Sequence, residues 1–318
     1  MNPFIFRDQL DGYLELRRAL GFRMQVEQRL LKQFLHYIES RDDAGSSSTA
    51  QLAVDWACSI SIRSGSGAYA GRLSVVRGFL TYLQASLPGI HVPSPNLVAG
   101  ARRPKPYIFS MNEIRDLIEK AKLLGPKGSL RPLTYVTLIG LLSSSGLRAG
   151  EAIHLHVSDV FLDANPPHLV IREAKFRKSR FVPVHPMTAE ALRTYAAEKQ
   201  RLGYDRFCDS FFVSESGRQL IHQTVGRTFV ALARNLGIRG PAGERGASLH
   251  SLRHTFAVWR VTAWYREGRD VQALLPELSV YLGHVRPQES YWYLTAVPEL
   301  LSAASSRFEH YSAKGAEL

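Results

Sequence analysis

A proline-rich, basic segment divides this sequence into two parts with different folding signals. The segment spans residues 88–107 and carries Arg102, Arg103 and Lys105 among five prolines. Prolines keep a chain extended, and closely spaced basic side chains suit a phosphate backbone. We therefore predict that residues 88–107 link a domain at 1–87 to a larger one at 108–318.

Residues 1–87 show helical periodicity, and this predicts a small, all-helical domain of about four helices. In the second predicted helix, Leu30, Phe34 and Ile38 recur at helical spacing. Arg63, Arg72 and Arg77 could line one DNA-binding surface of this domain. The alternative is that they lie on ordinary solvated helix faces.

Residues 108–318 mix helix signals with two strand signals. Ser110 and Glu113 form a capping box before a helix, and Gly146 ends a strongly apolar helix that begins at Pro132. Residues 168–172 and 180–184 are β-rich and are joined by a basic turn, which indicates a hairpin. A helix is expected from Asp270 through Leu275. The predicted fold class is mainly α with a small β-hairpin or sheet, in two domains.

Charge and cysteine content narrow the function. The formal net charge is +12 and the pI is about 9.8, which favours a polyanionic partner such as nucleic acid over a basic protein that binds none. Cys58 and Cys208 lie far apart, so no disulfide framework or thiolate zinc site is indicated. The start of the chain lacks the pattern of a secretory signal, and residues 133–147 are too short and polar to cross a bilayer. A cytoplasmic, nucleoid-associated protein is expected.

The stretch from Ser248 to Ala257 carries the main chemical signal. Residues three and four apart share a helix face, so His250, Arg253 and His254 should project together. A permanent cation beside two imidazoles suits a phosphate that is held while its chemistry proceeds. Taken alone, the cluster fits a half-exposed helix face with scattered basic residues equally well.

Two flanking motifs decide between these interpretations. Upstream lies Gly-Leu-Arg-x-x-Glu, with Arg148 and Glu151; downstream lies Leu-Gly-His, ending at His284, with Tyr291 and Tyr293 soon after. The order Arg, His-x-x-Arg, Gly-His, Tyr resembles the catalytic domain of tyrosine recombinases, the phage-integrase and Xer class, over roughly residues 108–310.

The resemblance implies roles for single residues. Arg148 and Arg253 would bind the scissile phosphate, with Glu151 orienting Arg148; the alternative for Arg148 is a simple buried ion pair with Glu151. Lys175, in the hairpin turn, would be the general acid in preference to Lys178. His250 would accept a proton near the nucleophile. His284 would donate a hydrogen bond to the phosphate, and His254 would be a structural support.

The nucleophile is the remaining choice. The family places its tyrosine nine residues after the Gly-His histidine, which selects Tyr293. Tyr291 and Trp292 are then packing aromatics. The chemistry implied needs neither metal nor ATP, so no cofactor is expected.

The resemblance implies a site-specific DNA recombinase or integrase that works through a 3′-phosphotyrosine. Its partners would be double-stranded DNA at specific sites and three further copies of the chain, with accessory DNA-bending proteins as further candidates and with no membrane. Residues 291–300 are similar to transposon- and integron-associated members. Alternatives on the same fold are a type IB topoisomerase-like relaxase and a catalytically inert DNA-binding regulator. The basic residues expected to contact DNA are Arg63, Arg72, Arg77, Arg102, Arg103, Lys105, Arg177, Lys178 and Arg180.

Overall fold

The computed structural model describes residues 3–41, 47–59, 66–95, 97–98, 105–174, 178–242, 244 and 246–283. The chain divides into two compact units, Met1–Pro104 and Lys105–Leu318. Within the described residues, no helix is both long and apolar enough to span a membrane. The secondary structure agrees with the predicted class, mainly helical with a small sheet.

The first unit contains four described helices whose apolar faces share one core. In the second helix, Leu31, Phe34, Leu35 and Ile38 are buried, at the spacing that places them on one helix face. Phe34 packs edge-on against Trp56 of the third helix, with ring centroids 5.4 Å apart. The four helices are α1 (Pro3–Ala19), α2 (Gln25–Glu39), α3 (Thr49–Cys58) and α4 (Ser66–Gln84).

The first part of the proline-rich segment packs against this unit. Ile90 is buried in its core. The Thr49 hydroxyl donates to the carbonyl of His91 and accepts from its amide, both at 2.7 Å. The other end of the segment leads into the second unit, where Phe109 is buried and its N–H donates to the Thr255 hydroxyl at 2.9 Å. Ile90 and His91, near the start of the segment, therefore pack against the first unit.

The second unit is a helical core with a sheet at one side. The predicted capping box is confirmed: the N–H of Ser110 donates to Glu113 at 2.7 Å, and the N–H of Glu113 donates to the Ser110 hydroxyl at 3.2 Å. Its helices are α5 (Met111–Lys122), α6 (Arg131–Ser145), α7 (Ala149–Ile153), α8 (Pro186–Arg201), α9 (His222–Asn235), α10 (Leu249–Arg266) and α11 (Val271–Leu282).

The sheet is antiparallel, with strand order β1 (Val160–Phe161), β2 (His168–Ala174) and β3 (Lys178–Pro183). The predicted hairpin is confirmed by the pairing of Leu169 with Val182. Its turn, residues 175–177, lies outside the described residues. The two-residue strand β1 was not predicted, because it is too short to show an alternating pattern.

Helix α11 is longer than the sequence predicts. The predicted helix ran from Asp270 through Leu275, but the helix continues through Pro276 to Leu282. The buried side chains Val271, Leu275, Leu278 and Leu282 keep helical spacing across the proline. Burial of that stripe outweighs the loss of one backbone hydrogen bond.

Candidate active site

Arg148 lies at the entrance to helix α7, where its side chain meets two other parts of the chain. Gly146 takes a left-handed conformation (φ 64°) and ends α6, as its position in the sequence predicts, and Arg148 then caps α7 in an extended conformation. Its Nη1 donates to Glu151 Oε1 at 2.8 Å, and its Nη2 donates to the carbonyl of Gly283 at 3.1 Å. About a third of its side chain, 30%, stays exposed, so Arg148 is held at two points and remains partly accessible.

Arg253 projects from α10 into the interior and is 1% exposed. Its Nη1 donates to the carbonyl of Gly146 at 2.9 Å, and its Nη2 donates to the carbonyl of Leu282 at 2.7 Å. These acceptors lie at the carboxyl ends of α6 and α11, where helix carbonyls lack partners within the helix and a cation is favoured. Arg253 therefore ties three helices together.

A third arginine, Arg180, also binds the carboxyl end of α11. The carbonyls of Tyr281, Leu282 and Gly283 are consecutive, and each accepts from a different guanidinium. Arg180 of β3 binds the first, Arg253 the second and Arg148 the third. Residue pairs 101, 29 and 135 positions apart in the sequence thus meet at one helix end.

Glu151 is the carboxylate of this cluster. It accepts from the backbone N–H of Arg148 at 2.9 Å and from both terminal nitrogens of Arg180 at 2.8 and 3.1 Å. Burial raises the pKa of its carboxyl group, but the hydrogen bonds and charges of Arg180 and Arg148 lower it more, so the pKa lies below its usual range. Glu151 is therefore ionised and shared between two arginines.

His250 and His254 meet on the face of α10, as the sequence predicts. Their rings are 4.4 Å apart at an angle of 79°. Partial desolvation, followed by the positive charges of Arg253 and Arg148, lowers the pKa of His250. A lowered pKa favours the neutral imidazole at pH 7, which is the form that accepts a proton.

Together, the described side chains form a basic site in which His250 can accept a proton. Two guanidinium groups on adjacent carbonyls, with an imidazole near both, could neutralise a phosphate and take a proton from a nucleophile. Among the residues that the structure describes, no group of three or more His, Cys, Asp or Glu side chains could hold a metal ion.

Comparison with known proteins identifies the family. The model of the phage integrase family matches residues 109–299, more than half of the chain. A Sinorhizobium fredii protein, named as integrase/recombinase y4rB, is 39% identical over 96% of this chain and 97% of its own length. The chain belongs to the phage integrase family. It is a tyrosine-type site-specific recombinase, as its motifs predict.

Solved structures of recombinases share the fold of this family member. XerH site-specific recombinase, in a post-cleavage complex with palindromic difH substrate, has a TM-score of 0.66 and 17% identity, and the match covers 88% of this chain and 78% of that one. The Tn1549 transposon integrase, in complex with transposon right end DNA, has a TM-score of 0.63 and 15% identity over 95% and 99% of the two chains. At these identities the likeness is one of fold.

The structure brings together the described members of the predicted site, Arg148, Glu151, His250, Arg253 and His254. Three predicted catalytic residues, Lys175, His284 and Tyr293, lie outside the described residues. Among the predicted DNA contacts, Lys105 is exposed and Arg77 is half-buried. Those outside the described residues are Arg63, Arg102, Arg103 and Arg177, and the side chain of Lys178 is not described.

Two predicted DNA contacts are placed elsewhere. Arg72 is buried in the first unit, where its guanidinium lies 3.9 Å from the Trp56 ring and donates to the Trp56 carbonyl at 3.2 Å. Arg180 is also turned inward, with its side chain 11% exposed. Each finds acceptors inside the protein, so neither lines a solvated surface in this structure.

Arg180 was predicted only as a DNA contact, and its place in this site was not predicted from the sequence. The alternation of the strand could have predicted it, because residues 180 and 182 share one face of β3 and Val182 is buried, whereas Phe181 is exposed.

A second neighbour of the site is Tyr281, whose ring stacks on Phe256 with centroids 5.7 Å apart. Burial raises its pKa to about 12 against the charges of nearby arginines, so it is a packing residue rather than a ready nucleophile.

Proposed function

We propose that this recombinase cuts and rejoins double-stranded DNA through a covalent link to Tyr293. The phenolate of Tyr293 attacks the scissile phosphorus, the bond to the 5′-oxygen breaks, and a 3′-phosphotyrosine forms. Lys175 donates a proton to the departing 5′-oxygen, and His250 accepts the proton that leaves Tyr293. A 5′-hydroxyl from the partner duplex then attacks the phosphotyrosine and releases the enzyme.

The observation that carries this proposal is that Arg148 and Arg253 bind adjacent carbonyls at the end of α11 and that His250 lies close enough for their charges, after desolvation, to lower its pKa. Two guanidinium groups stabilise the charge that builds on the non-bridging oxygens in the transition state. A neutral imidazole nearby lowers the cost of deprotonating a phenol whose usual pKa is about 10. No step in this sequence draws on a metal ion or a nucleotide.

The two arginines differ in how they would reach the phosphate. Arg148 has 30% of its side chain exposed and could bind directly, whereas Arg253 is 1% exposed. Contact with Arg253 therefore requires a rearrangement of the surface above it when DNA binds. Such a step would couple cleavage to correct assembly on the DNA.

We further propose that both units contact the duplex and that four copies of the chain act on two duplexes, with accessory DNA-bending proteins as further candidates. Candidate backbone contacts are Arg63, Arg77, Arg102, Arg103, Lys105, Arg177 and Lys178. Family membership and the charge of +12 support this arrangement.

Covalent capture tests the proposal. The full chain is incubated, in the presence of a chelator, with sheared DNA of the organism that encodes it. Fragments that stay attached after denaturation are sequenced, and the recovered site is remade as a duplex nicked near the cleavage position. The native chain should accumulate covalent DNA on this duplex, while Tyr293→Phe should form none.

The matched control is Tyr291→Phe, which should retain the covalent product. Loss in this variant and persistence in Tyr293→Phe would assign the nucleophile to Tyr291 instead. If the native chain relaxed supercoiled DNA without exchanging strands between duplexes, it would be a topoisomerase-like relaxase. Binding to DNA with no covalent product under any of these conditions would make it an inert regulator.

A further inference from the structure

Arg180 has every nitrogen of its guanidinium engaged inside the second unit. Its two terminal nitrogens donate to the two oxygens of Glu151 at 3.1 and 2.8 Å, and Nε donates to the carbonyl of Tyr281 at 2.9 Å. Such a planar, two-pronged contact is specific to arginine. The side chain therefore joins β3 to the first turn of α7 and to the last turn of α11.

This contact changes how Glu151 acts on Arg148. Glu151 receives two side-chain hydrogen bonds from Arg180 and only one from Arg148. With Arg180 present, the three groups together carry one positive charge; without it, Glu151 and Arg148 would neutralise each other. Sharing of the carboxylate thus leaves Arg148 with charge available for a phosphate.

The packing at Gly283 shows how closely Arg180 fits. A Cβ atom built at Gly283 would lie 2.8 Å from Nη1 and 3.0 Å from Cζ of Arg180, and the glycine has a φ of 67°. Only glycine combines that backbone conformation with that contact at low cost. The last backbone position before residue 284 is therefore fixed against Arg180 as well as bonded to Arg148.

We propose that Arg180 is a positioning residue for strand cleavage: it occupies Glu151 and fastens the end of α11, so that Glu151 does not cancel the positive charge of Arg148 and the guanidinium of Arg148 stays beside Arg253. The inference rests on the proposed function, since it gives Arg148 the task of binding the phosphate. Arg180 itself need not touch DNA.

A matched control exists in the same sheet. Arg172 of β2 pairs with Asp159, a buried carboxylate that also accepts from a backbone N–H, that of His156, at 3.1 Å. This repeats the relation of Arg180 to Glu151 without any contact to Arg148 or α11 in the described residues. Arg172→Gln therefore removes an arginine–carboxylate pair of the same sheet that lies outside the cluster, and Arg180→Lys keeps the charge while losing the two-pronged contact.

The first measurement needs no DNA. Titration of the His250 imidazole by NMR reports the local environment, because desolvation and then the positive charges of Arg253 and Arg148 lower the pKa of His250. Arg180→Gln should raise that pKa, because Glu151 then neutralises Arg148; Arg172→Gln should leave it unchanged, and Arg180→Lys should give a value near the native one. An unchanged pKa in Arg180→Gln would overturn the proposal.

The second measurement uses the captured, nicked duplex. Arg180→Gln should bind it within about twofold of the native affinity yet form covalent DNA about 10²-fold more slowly, the scale expected when a reacting group is misplaced by about 1 Å. Arg180→Lys should recover part of the rate, and Arg172→Gln should cleave at the native rate. Equal rates for the two glutamine variants would refute the positioning role.

The negative outcomes of the two experiments can be distinguished. If the native chain forms no covalent DNA, the proposed function falls, and the His250 titration still decides whether Arg180 limits how far Glu151 cancels the charge of Arg148. If the native chain cleaves and the titration is unmoved by Arg180→Gln, only the positioning role is lost.

Discussion

Glu151 and Asp159 share a local hydrogen-bonding pattern but have different surroundings. Each accepts a hydrogen bond from the backbone N–H three residues earlier, and each pairs with an arginine of the sheet. Glu151, however, binds a second arginine, and both of its partners reach the end of α11. A common capping arrangement therefore becomes a candidate active site only where a distant helix supplies the acceptors.

The arginine partners of Glu151 and Asp159 differ in solvent exposure, and this should give the largest difference in stability between variants of the two carboxylates. Glu151→Gln leaves Arg180 and Arg148, which are 11% and 30% exposed, opposite a neutral amide. We expect the free energy of unfolding to fall by about 3 kcal/mol. Asp159→Asn leaves Arg172, which is 59% exposed and stays hydrated, so a loss of about 1 kcal/mol is expected.

Urea unfolding of both variants measures the difference. Covalent DNA formation should be lost with Glu151→Gln and retained with Asp159→Asn. Equal losses of stability, or equal activities, would mean that the arginines around Glu151 form no special cluster.

Gly146 extends the comparison to the other carbonyl that Arg253 binds. A Cβ at this position would lie 2.4 Å from Cδ1 of Phe256, and the φ of Gly146 is 64°. Gly146→Ala should lower the free energy of unfolding by about 2 kcal/mol, through strain and overpacking. Thermal and urea unfolding would show this.

Gly140→Ala is the control in the same helix. A Cβ at Gly140 would meet nothing within 4 Å, so alanine should stabilise the protein by about 0.5–1 kcal/mol. If Gly146→Ala left the free energy of unfolding unchanged, Phe256 and the helix end would have adjusted freely. That result would weaken the case for a rigid site.

Arg72 tests whether a buried arginine outside this cluster has any part in the chemistry. Arg72→Met should lower the free energy of unfolding by about 1 kcal/mol, since it removes the stacking on Trp56 and one hydrogen bond. DNA affinity and covalent product should stay at native levels. A fall in DNA affinity in the folded Arg72→Met variant would restore the surface role that the sequence suggested.

Acid pH gives the smallest expected effect. Because the folded pKa of Glu151 lies below its unfolded value of about 4.3, its ionised form stabilises the fold above that pH. The contribution is lost as the pH falls through the folded pKa. The difference in melting temperature between the native chain and Glu151→Gln should therefore shrink below about pH 4; a constant difference would contradict the assignment.

Local signals carried most of the fold. The Ser110 capping box, the glycine stop at residue 146 and the hairpin all depend on neighbours in the sequence, and each was found. Where a tertiary contact decided the outcome, sequence analysis was wrong. Helix α11 passes Pro276 because its apolar stripe is buried against the protein. The spacing of that stripe is present in the sequence, but its burial is not.

Two arginines show more clearly what local sequence patterns cannot predict. Arg72 and Arg180 look like solvated basic residues in the sequence, but each is engaged by a backbone carbonyl, 16 and 101 positions away respectively. By contrast, His250, Arg253 and His254 could be grouped because one helix carries them. The order of the motifs was enough to group these residues with Arg148. The sharing of Glu151 between two arginines and the three carbonyls of α11 could be seen only in the folded structure.

The most direct test of the account uses the captured duplex with a methyl group in place of one non-bridging oxygen of the scissile phosphate. The resulting methylphosphonate carries no charge, so it no longer needs a guanidinium to neutralise it. If Arg148 neutralises the phosphate, Arg148→Ala should be severely slowed on the natural duplex and should approach the native rate of covalent product formation on the methylphosphonate. An equally large defect on both duplexes would contradict the claim that Arg148 acts on the phosphate at all.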